Sequence, residues 1–262
     1  MSYEMKSPLK ARPLRMPGQS IDEQITSIRE GEALVFVLIP LVLILLTLWS
    51  WLAWLGVLQP TNPLLLTLVT VIITVYSGKR LYNARKRLRL LNQGRDGELA
   101  VGQMLSRLER LGCRVYHDIM GEDFNIDHVI VSTYGVFSVE TKTYSKPAKG
   151  ECRIIVDEQG LKINGYAAGT KTLKQVAAQK SWLERLISSH AGISASVQPV
   201  IAYPGWYIED RRKDRSKIWV LEPKALRAFI EKSPRVLSDS DVRIISNGFS
   251  RYIRSTNTRL SA

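Results

Sequence analysis

Residues 33–77 contain no charged side chain. Such a stretch has no polar face to offer water, and this limits what the chain can become. Residues 34–58 alone exceed the ~20 that a helix needs to cross the hydrocarbon core of a bilayer. Gln59, Pro60, Asn62 and Pro63 interrupt the run, because two prolines and an asparagine do not continue a helix. Residues 64–76 form a second apolar run, long enough to span if Thr61 and Ser77 are included. The predicted arrangement is a transmembrane helical hairpin over residues 33–78, turning at 59–63. Trp49, Trp51 and Trp54 fall near the turn, at the level where aromatic side chains favour the membrane interface. A cleaved signal peptide fits less well, since the run starts late and lacks a small-residue cleavage site.

Charge sets the orientation. Lys79, Arg80, Arg85, Lys86, Arg87 and Arg89 follow the second run, Arg29 precedes the first, and the connection between the runs is uncharged. Both ends are therefore expected on the cytoplasmic side of an inner (cytoplasmic) membrane, as a multi-pass protein. Residues 79–93 read as a basic juxtamembrane linker, and the cluster at 79–95 would meet anionic lipid. The formal net charge of +13 favours anionic partners, either nucleic acid or lipid headgroups. Residues 1–32 form a polar cytoplasmic leader broken by Pro8, Pro13 and Pro17. Its first 20 residues are expected to be mostly disordered, followed by a short amphipathic helix at 21–29. Cys113 and Cys152 have no metal-ligand spacing, and on a cytosolic side they are expected as two buried thiols.

Beyond the linker, residues 126–131 and 136–143 alternate as two β-branched strands around a tight turn, where Gly135 supplies the residue that tolerates φ > 0. Side chains alternate faces, so Asp127, Val129 and Val131 share one face, as do Val136, Ser138, Glu140 and Lys142. If Val131 pairs with Val136, then Glu140 lies opposite Asp127. Opposed carboxylates repel, and a bound cation is one reason to build such a pair, since hard divalent ions favour carboxylate oxygens. A polar Ser/Glu/Lys face is also what a solvated hairpin looks like, and a one-residue slip would separate the two acids.

Asp127 followed by Glu140-Thr141-Lys142 resembles the Asp…Glu-x-Lys signature of the PD-(D/E)XK nuclease superfamily. The wider pattern resembles the nuclease-related domain (NERD). Gly97-Glu98 opens a helix, Asn125-Ile126-Asp127-His128-Val129 and Gly135 to Lys142 form the hairpin, and a later helix carries Gln175. The resemblance covers residues 94–203. It implies an α/β fold with a restriction-endonuclease-like central mixed sheet flanked by helices, over residues 94–262 with C-terminal helices. It also implies metal-dependent hydrolysis of phosphodiester bonds, with Glu98, Asp127, Glu140, Lys142 and Gln175 catalytic. Mg²⁺ (or Mn²⁺) would be held by Asp127, Glu140 and Glu98, and DNA is the expected substrate ahead of RNA. One departure is the loop after Lys142, which reads Thr143-Tyr144-Ser145-Lys146-Pro147 where the family has a glycine.

The remaining pattern is coarser. Residues 95–111 read as an amphipathic helix with Glu98 on its apolar stripe. Residues 113–117 read as a short strand and 118–124 as a polar loop. His128 reads as a packed core residue. Residues 151–156 and 161–164 form a further hairpin, and 170–188 a helix in which Gln175 faces the site and Gln179 the surface. Residues 197–203 and 218–221 are strands, with 210–217 a charged loop between them. Pro223 opens a short helix, and a last helix follows Ser238. The rival reading is a non-catalytic, membrane-anchored nucleic-acid-binding or scaffolding module that keeps a nuclease-like fold. The hairpin topology makes its own prediction. A cysteine at position 61 should react with an impermeant thiol reagent from outside intact cells, and one at 261 should not; equal labelling of the two would refute the hairpin.

Overall fold

A computed structural model describes residues 14–57, 63–147 and 152–260. The chain divides into two compact units, one made of residues 20–93 and the other of residues 1–19 together with 94–262.

In the first unit, α1 (Gln19–Ser27) passes through a π-helical turn (Ile28–Ala33) into α2 (Leu34–Leu52). A second π-helical turn (Ala53–Val57) ends this arm, and α3 (Leu64–Leu105) forms the other. The predicted turn at residues 59–63 lies largely outside the described residues. Two apolar helical stretches, Gln19–Leu55 and Leu64–Leu111, are long enough to cross a membrane. Their pairing is antiparallel. The Phe36 and Tyr76 rings lie 6.1 Å apart, the Thr47 and Thr70 hydroxyls bond at 2.7 Å, and the Trp51 indole donates to Thr67 Oγ1 at 2.9 Å. Thr47, Thr67 and Thr70 each also donate to a carbonyl four residues earlier, so their hydroxyls are satisfied within the pair. The expected linker at 79–93 and the expected helix at 95–111 are one helix in the structure, because no proline separates them and isolated glycines weaken a helix without ending it. A 3₁₀ turn (Ser106–Leu111) follows and ends on the left-handed Gly112.

The second unit holds two sheets. The larger has five strands in the order β1 (Arg114–Met120), β2 (Asn125–Ser132), β3 (Gly135–Thr141), β7 (Val197–Ala202) and β9 (Trp219–Leu221). Its first three strands are antiparallel, and β3, β7 and β9 run parallel. The smaller sheet has the order β6 (Tyr166–Gly169), β5 (Gly160–Ile163), β4 (Arg153–Asp157) and β8 (Tyr207–Asp210). The larger is the mixed central sheet that was expected, and the expected hairpin at 151–156 and 161–164 forms the middle of the smaller one; β6 and the start of β8 carry exposed residues with no alternating pattern to announce them. Alternation along β2 and β3 separates two cores. Val129, Val131 and Val136 pack under α4 (Lys171–Ala191) and α6 (Asp239–Leu260) with Leu183, Ile187, Ile245 and Phe249. Ile130, Phe137 and Val139 pack on Val101 and Leu105 of α3 and on Leu226 and Ile230 of α5 (Leu226–Glu231). Cys113 is buried and Cys152 half-buried, and both are free thiols.

The expectation of a mostly disordered leader falls largely on residues 1–13, outside the described residues; the part that is described departs from it. Residues 14–18 are ordered against the sheet unit. Leu14 packs on the first core, and the Arg15 side chain, 3 % exposed, pairs with Asp118 at 2.6 Å. Pro17 fills the space beside Gly102, where an added Cβ would lie 2.6 Å from the ring. Asp118 was expected in a loop. Instead β1 continues through it, and it is 1 % exposed with φ +50°, a conformation short polar residues tolerate. Breaking one side of a buried ion pair leaves an uncompensated charge at a cost of ~3–5 kcal/mol. Arg15→Met should therefore lower unfolding stability by roughly that amount in denaturant titration of the full chain, whereas a disordered leader would leave the midpoint unchanged.

Candidate functional site

The site grows from the fork where β2 and β3 stop pairing. Their register is the one the alternation predicts, with Val131 opposite Val136 and Val129 opposite Ser138. The turn between them spans Thr133 and Tyr134, and Gly135 takes φ +127° as the first residue of β3. The ladder ends at His128 and Val139. One step further in the same register come Asp127 and Glu140, as the sequence pattern anticipates. In place of a backbone partner, the Thr141 N–H donates to Asp127 Oδ2 at 2.7 Å. Meanwhile β3 goes on pairing with β7, setting Glu140 beside Ile201 and Thr141 beside Ala202. The fork thus turns a sheet hydrogen bond into a clamp on a carboxylate.

Glu140 is 4 % exposed, so its charge needs partners. The Lys142 ammonium donates to Oε1 at 2.5 Å. Gln175 Nε2 donates to the same oxygen, and Gln179 Nε2 to Oε2, each at 2.8 Å. Gln179 also reaches the Asn125 carbonyl at 3.0 Å. Sequence reasoning had put Gln179 on the surface; it is 2 % exposed and spans the fork from α4. Its spacing from Gln175 places both on one helix face, and that shared face was the signal that could have identified it. Burial pulls the Lys142 ammonium down, but the Glu140 charge and hydrogen bond, with Asp127 and Tyr144, outweigh it and raise the pKa.

Glu98 reaches this end of the sheet from α3. The preceding residue explains how: a Cβ on Gly97 would lie 1.9 Å from Thr143 Oγ1, so only glycine lets the helix approach the segment that follows β3. Glu98 is 8 % exposed. Burial, then the charges of Asp118 and Glu140, raise its pKa to about 7, against the pull of Lys142 and a hydrogen bond from the Gly18 backbone. Asp127 is likewise held well above the usual carboxylate range by burial, Glu140 and Glu98. Asp118, which sequence reasoning missed, is a further acid here; Arg15 Nε and Asn125 Nδ2 donate to its two oxygens. On the far face of β2, His128 is fully buried as expected, with its Nδ1 2.9 Å from that of His117. Burial pushes both imidazoles down, His117 to about 4, which keeps this pair neutral and outside the acid cluster.

All five expected site residues therefore gather at one end of the larger sheet: Glu98 from α3, Asp127 from β2, Glu140 from β3, Lys142 just beyond its end, and Gln175 from α4. The donor chemistry suits a hard divalent cation, since acids buried side by side repel and a cation relieves that. The loop after Lys142, where the family pattern is broken, is fixed by Tyr144, which stacks on Tyr203 with ring centres 6.0 Å apart and meets Trp206 edge-on. A pH test follows from Glu98. Its folded pKa lies above its ordinary value, so the stability it contributes is complete below pH 4.5 and lost as pH rises through about 7. His117 works in the opposite sense, its contribution being lost as pH falls from 6.5 toward about 4. Comparing metal-free melts of wild type and Glu98→Gln isolates the acid: the difference should grow in the variant's favour from pH 4.5 to 7.

No curated protein and no solved structure matches the chain. The family model for the nuclease-related domain (NERD) matches residues 93–204. That span contains Glu98, Asp127, Glu140, Lys142, Gln175 and Gln179, and it ends before β8, β9, α5 and α6. Residues 93–204 are thus similar to the nuclease-related domain, and the acid cluster lies within that span.

Proposed function

We propose that this protein is a membrane-anchored, metal-dependent nuclease of PD-(D/E)XK type that hydrolyses phosphodiester bonds of nucleic acid, DNA ahead of RNA. The observation that carries the reading is the convergence of Asp127, Glu140 and Lys142 at the fork, with Glu98 brought in by the Gly97 approach. Asp127 and Glu140, with Glu98 directly or through water, would hold Mg²⁺ or Mn²⁺. The ion, when bound, polarises the phosphoryl oxygen and lowers the pKa of a bound water. Lys142 sets a positive charge beside the scissile phosphate and stabilises the negative charge that develops there. Gln175 and Gln179 hold the Glu140 carboxylate in one orientation.

Membrane anchoring is supported by the exterior of the helical pair, where apolar side chains such as Leu65, 74 % exposed, and Val75, 69 % exposed, face outward. A common side for residues 15 and 118 is supported by the Arg15–Asp118 pair, and the basic residues flanking the apolar runs favour the cytoplasmic one. A chain that crossed a bilayer once between these residues would hold them on opposite sides; two crossings let them meet.

The second reading, a nucleic-acid-binding module without turnover, has an observation of its own. Lys142, Gln175 and Gln179 already satisfy both Glu140 oxygens, and among the described residues no group of three His, Cys, Asp or Glu side chains is close enough to hold an ion. Nicking of supercoiled plasmid by the full chain in detergent, with Mg²⁺ or Mn²⁺ and with chelator, separates the two. On the nuclease reading chelator stops nicking and Lys142→Ala lowers it by ~100-fold or more, the scale for removing a positioned electrostatic group. Asp127→Asn should weaken Mn²⁺ binding in calorimetry while leaving the metal-free fold as stable or more so, because repulsion with Glu140 and Glu98 is relieved. Unchanged Mn²⁺ affinity in Asp127→Asn and Glu140→Gln would sink the shared metal site.

A further inference from the structure

The C-terminal helix α6 lies outside the matched domain and presents two unlike faces. Val242, Ile245, Phe249 and Ile253 are buried in the core. The opposite face carries Arg243, Asn247, Arg251 and Arg254, all exposed, with Ser250 half-buried. Between Val242 and Leu260 the sequence has arginines and no acid. Two cavities of about 490 and 440 Å³ adjoin along this face, sharing Asn247 and Ser250. The first extends to Arg114 at the start of β1 and the second to Arg251 and Arg254. Glu109 is the one acid among the described residues lining them. The Ser246 hydroxyl on the wall of the first is buried without a partner.

An arginine in the last turn of a helix is favoured by the helix dipole, and Arg254 lies just before that turn. The dipole does not explain Arg243, in the second turn of α6, where it disfavours a cation. Nor does it explain Arg114, which is on a strand. Both are exposed and make no ion pair among the described residues.

The face also has a direction. The Tyr116 hydroxyl donates to the Ser246 carbonyl at 3.0 Å, and the Tyr252 hydroxyl donates to the Met120 carbonyl at 2.7 Å. So α6 advances along β1, from the Arg114 end toward the end where Met120 pairs with Asn125, two residues from Asp127. It covers the same sheet face as α4, which supplies Gln175 and Gln179 to Glu140. From Arg243 to Arg254 the helix rises ~16 Å. A nucleic-acid strand carries a phosphate every ~3.4 Å along a duplex axis, so this length faces several of them.

We propose that the arginine face of α6, together with Arg114, is a track for the phosphate backbone of nucleic acid, leading it toward the acid cluster. It rests on the nucleic-acid reading of that cluster but not on turnover. The test is fluorescence anisotropy of a labelled duplex oligonucleotide with the full chain in non-ionic detergent and chelator, across a salt series. Arg114→Gln/Arg243→Gln should weaken binding ~10-fold or more at low salt and reduce the slope of log K against log salt by about 2, roughly one unit per lost phosphate contact. Arg251→Gln, which also gives up a bond to the His190 carbonyl, should reduce it by a further unit, with the melting temperature of the Arg114→Gln/Arg243→Gln variant kept. Unchanged affinity and slope would overturn the track. So would loss of binding to mixed micelles containing phosphatidylglycerol with duplex binding intact, which would assign the face to anionic lipid. Duplex binding lost in the arginine variants of a chain that never nicks plasmid would leave the track standing and remove the nuclease reading. Nicking with a normal KM in those variants would do the reverse.

Discussion

A carboxylate taken out of water must be given partners, and Glu140 is where this domain meets that demand. Three elements exist in the form they do because of it. The chain leaves β3 with Lys142 two residues beyond Glu140, its ammonium turned back onto that carboxylate. The helix α4 turns two amides, one turn apart, onto its two oxygens. The fork between β2 and β3 frees a backbone N–H that fixes Asp127 beside it. Remove the charge and Lys142 loses the partner that holds it at the end of the sheet, the half-buried Gln175 loses its acceptor, and Gln179 keeps only the Asn125 carbonyl. The arrangement is costly as architecture, since it keeps several acids close together out of water.

That crowding spreads through one contact at a time. Glu98 joins the cluster because Gly97 lets α3 lie against Thr143. Its proton is held by burial and by neighbouring acids, among them Asp118, whose charge is in turn met by Arg15. The buried histidines on the other face of β2 stay neutral, which leaves Lys142 and Arg15 as the cations that answer the acids. The network has acids from α3, β1, β2 and β3, so no single strand or helix contains the site.

What could be read from sequence follows the range of the interactions. The hairpin, its register and the shared face of Asp127 and Glu140 were legible because period-two alternation and a glycine turn are local signals. Glu98 was legible as an acid on an apolar stripe. Gln179 was not, since a helix face has meaning only once the surface beneath it is known. Asp118 was hidden by a strand judged too short, although Ile119 continues the apolar alternation past it. The second sheet was half visible: the β4–β5 hairpin has a glycine turn, but β6 has exposed residues and β8 pairs parallel to a strand far upstream. Arg15 was out of reach, because nothing in a proline-broken leader announces a partner 103 residues away.

The same contact sets an order of assembly. Arg15 leaves the ribosome before the apolar hairpin, and its partner Asp118 only after it. At ~5–20 residues per second, the separation of 103 residues takes several seconds to make, and Arg15 waits that long for its partner. The acid end is therefore not completed from residues 93–204 alone. One of its cations comes from upstream of the apolar helices, so the finished cluster joins two parts of the chain that are made at different times.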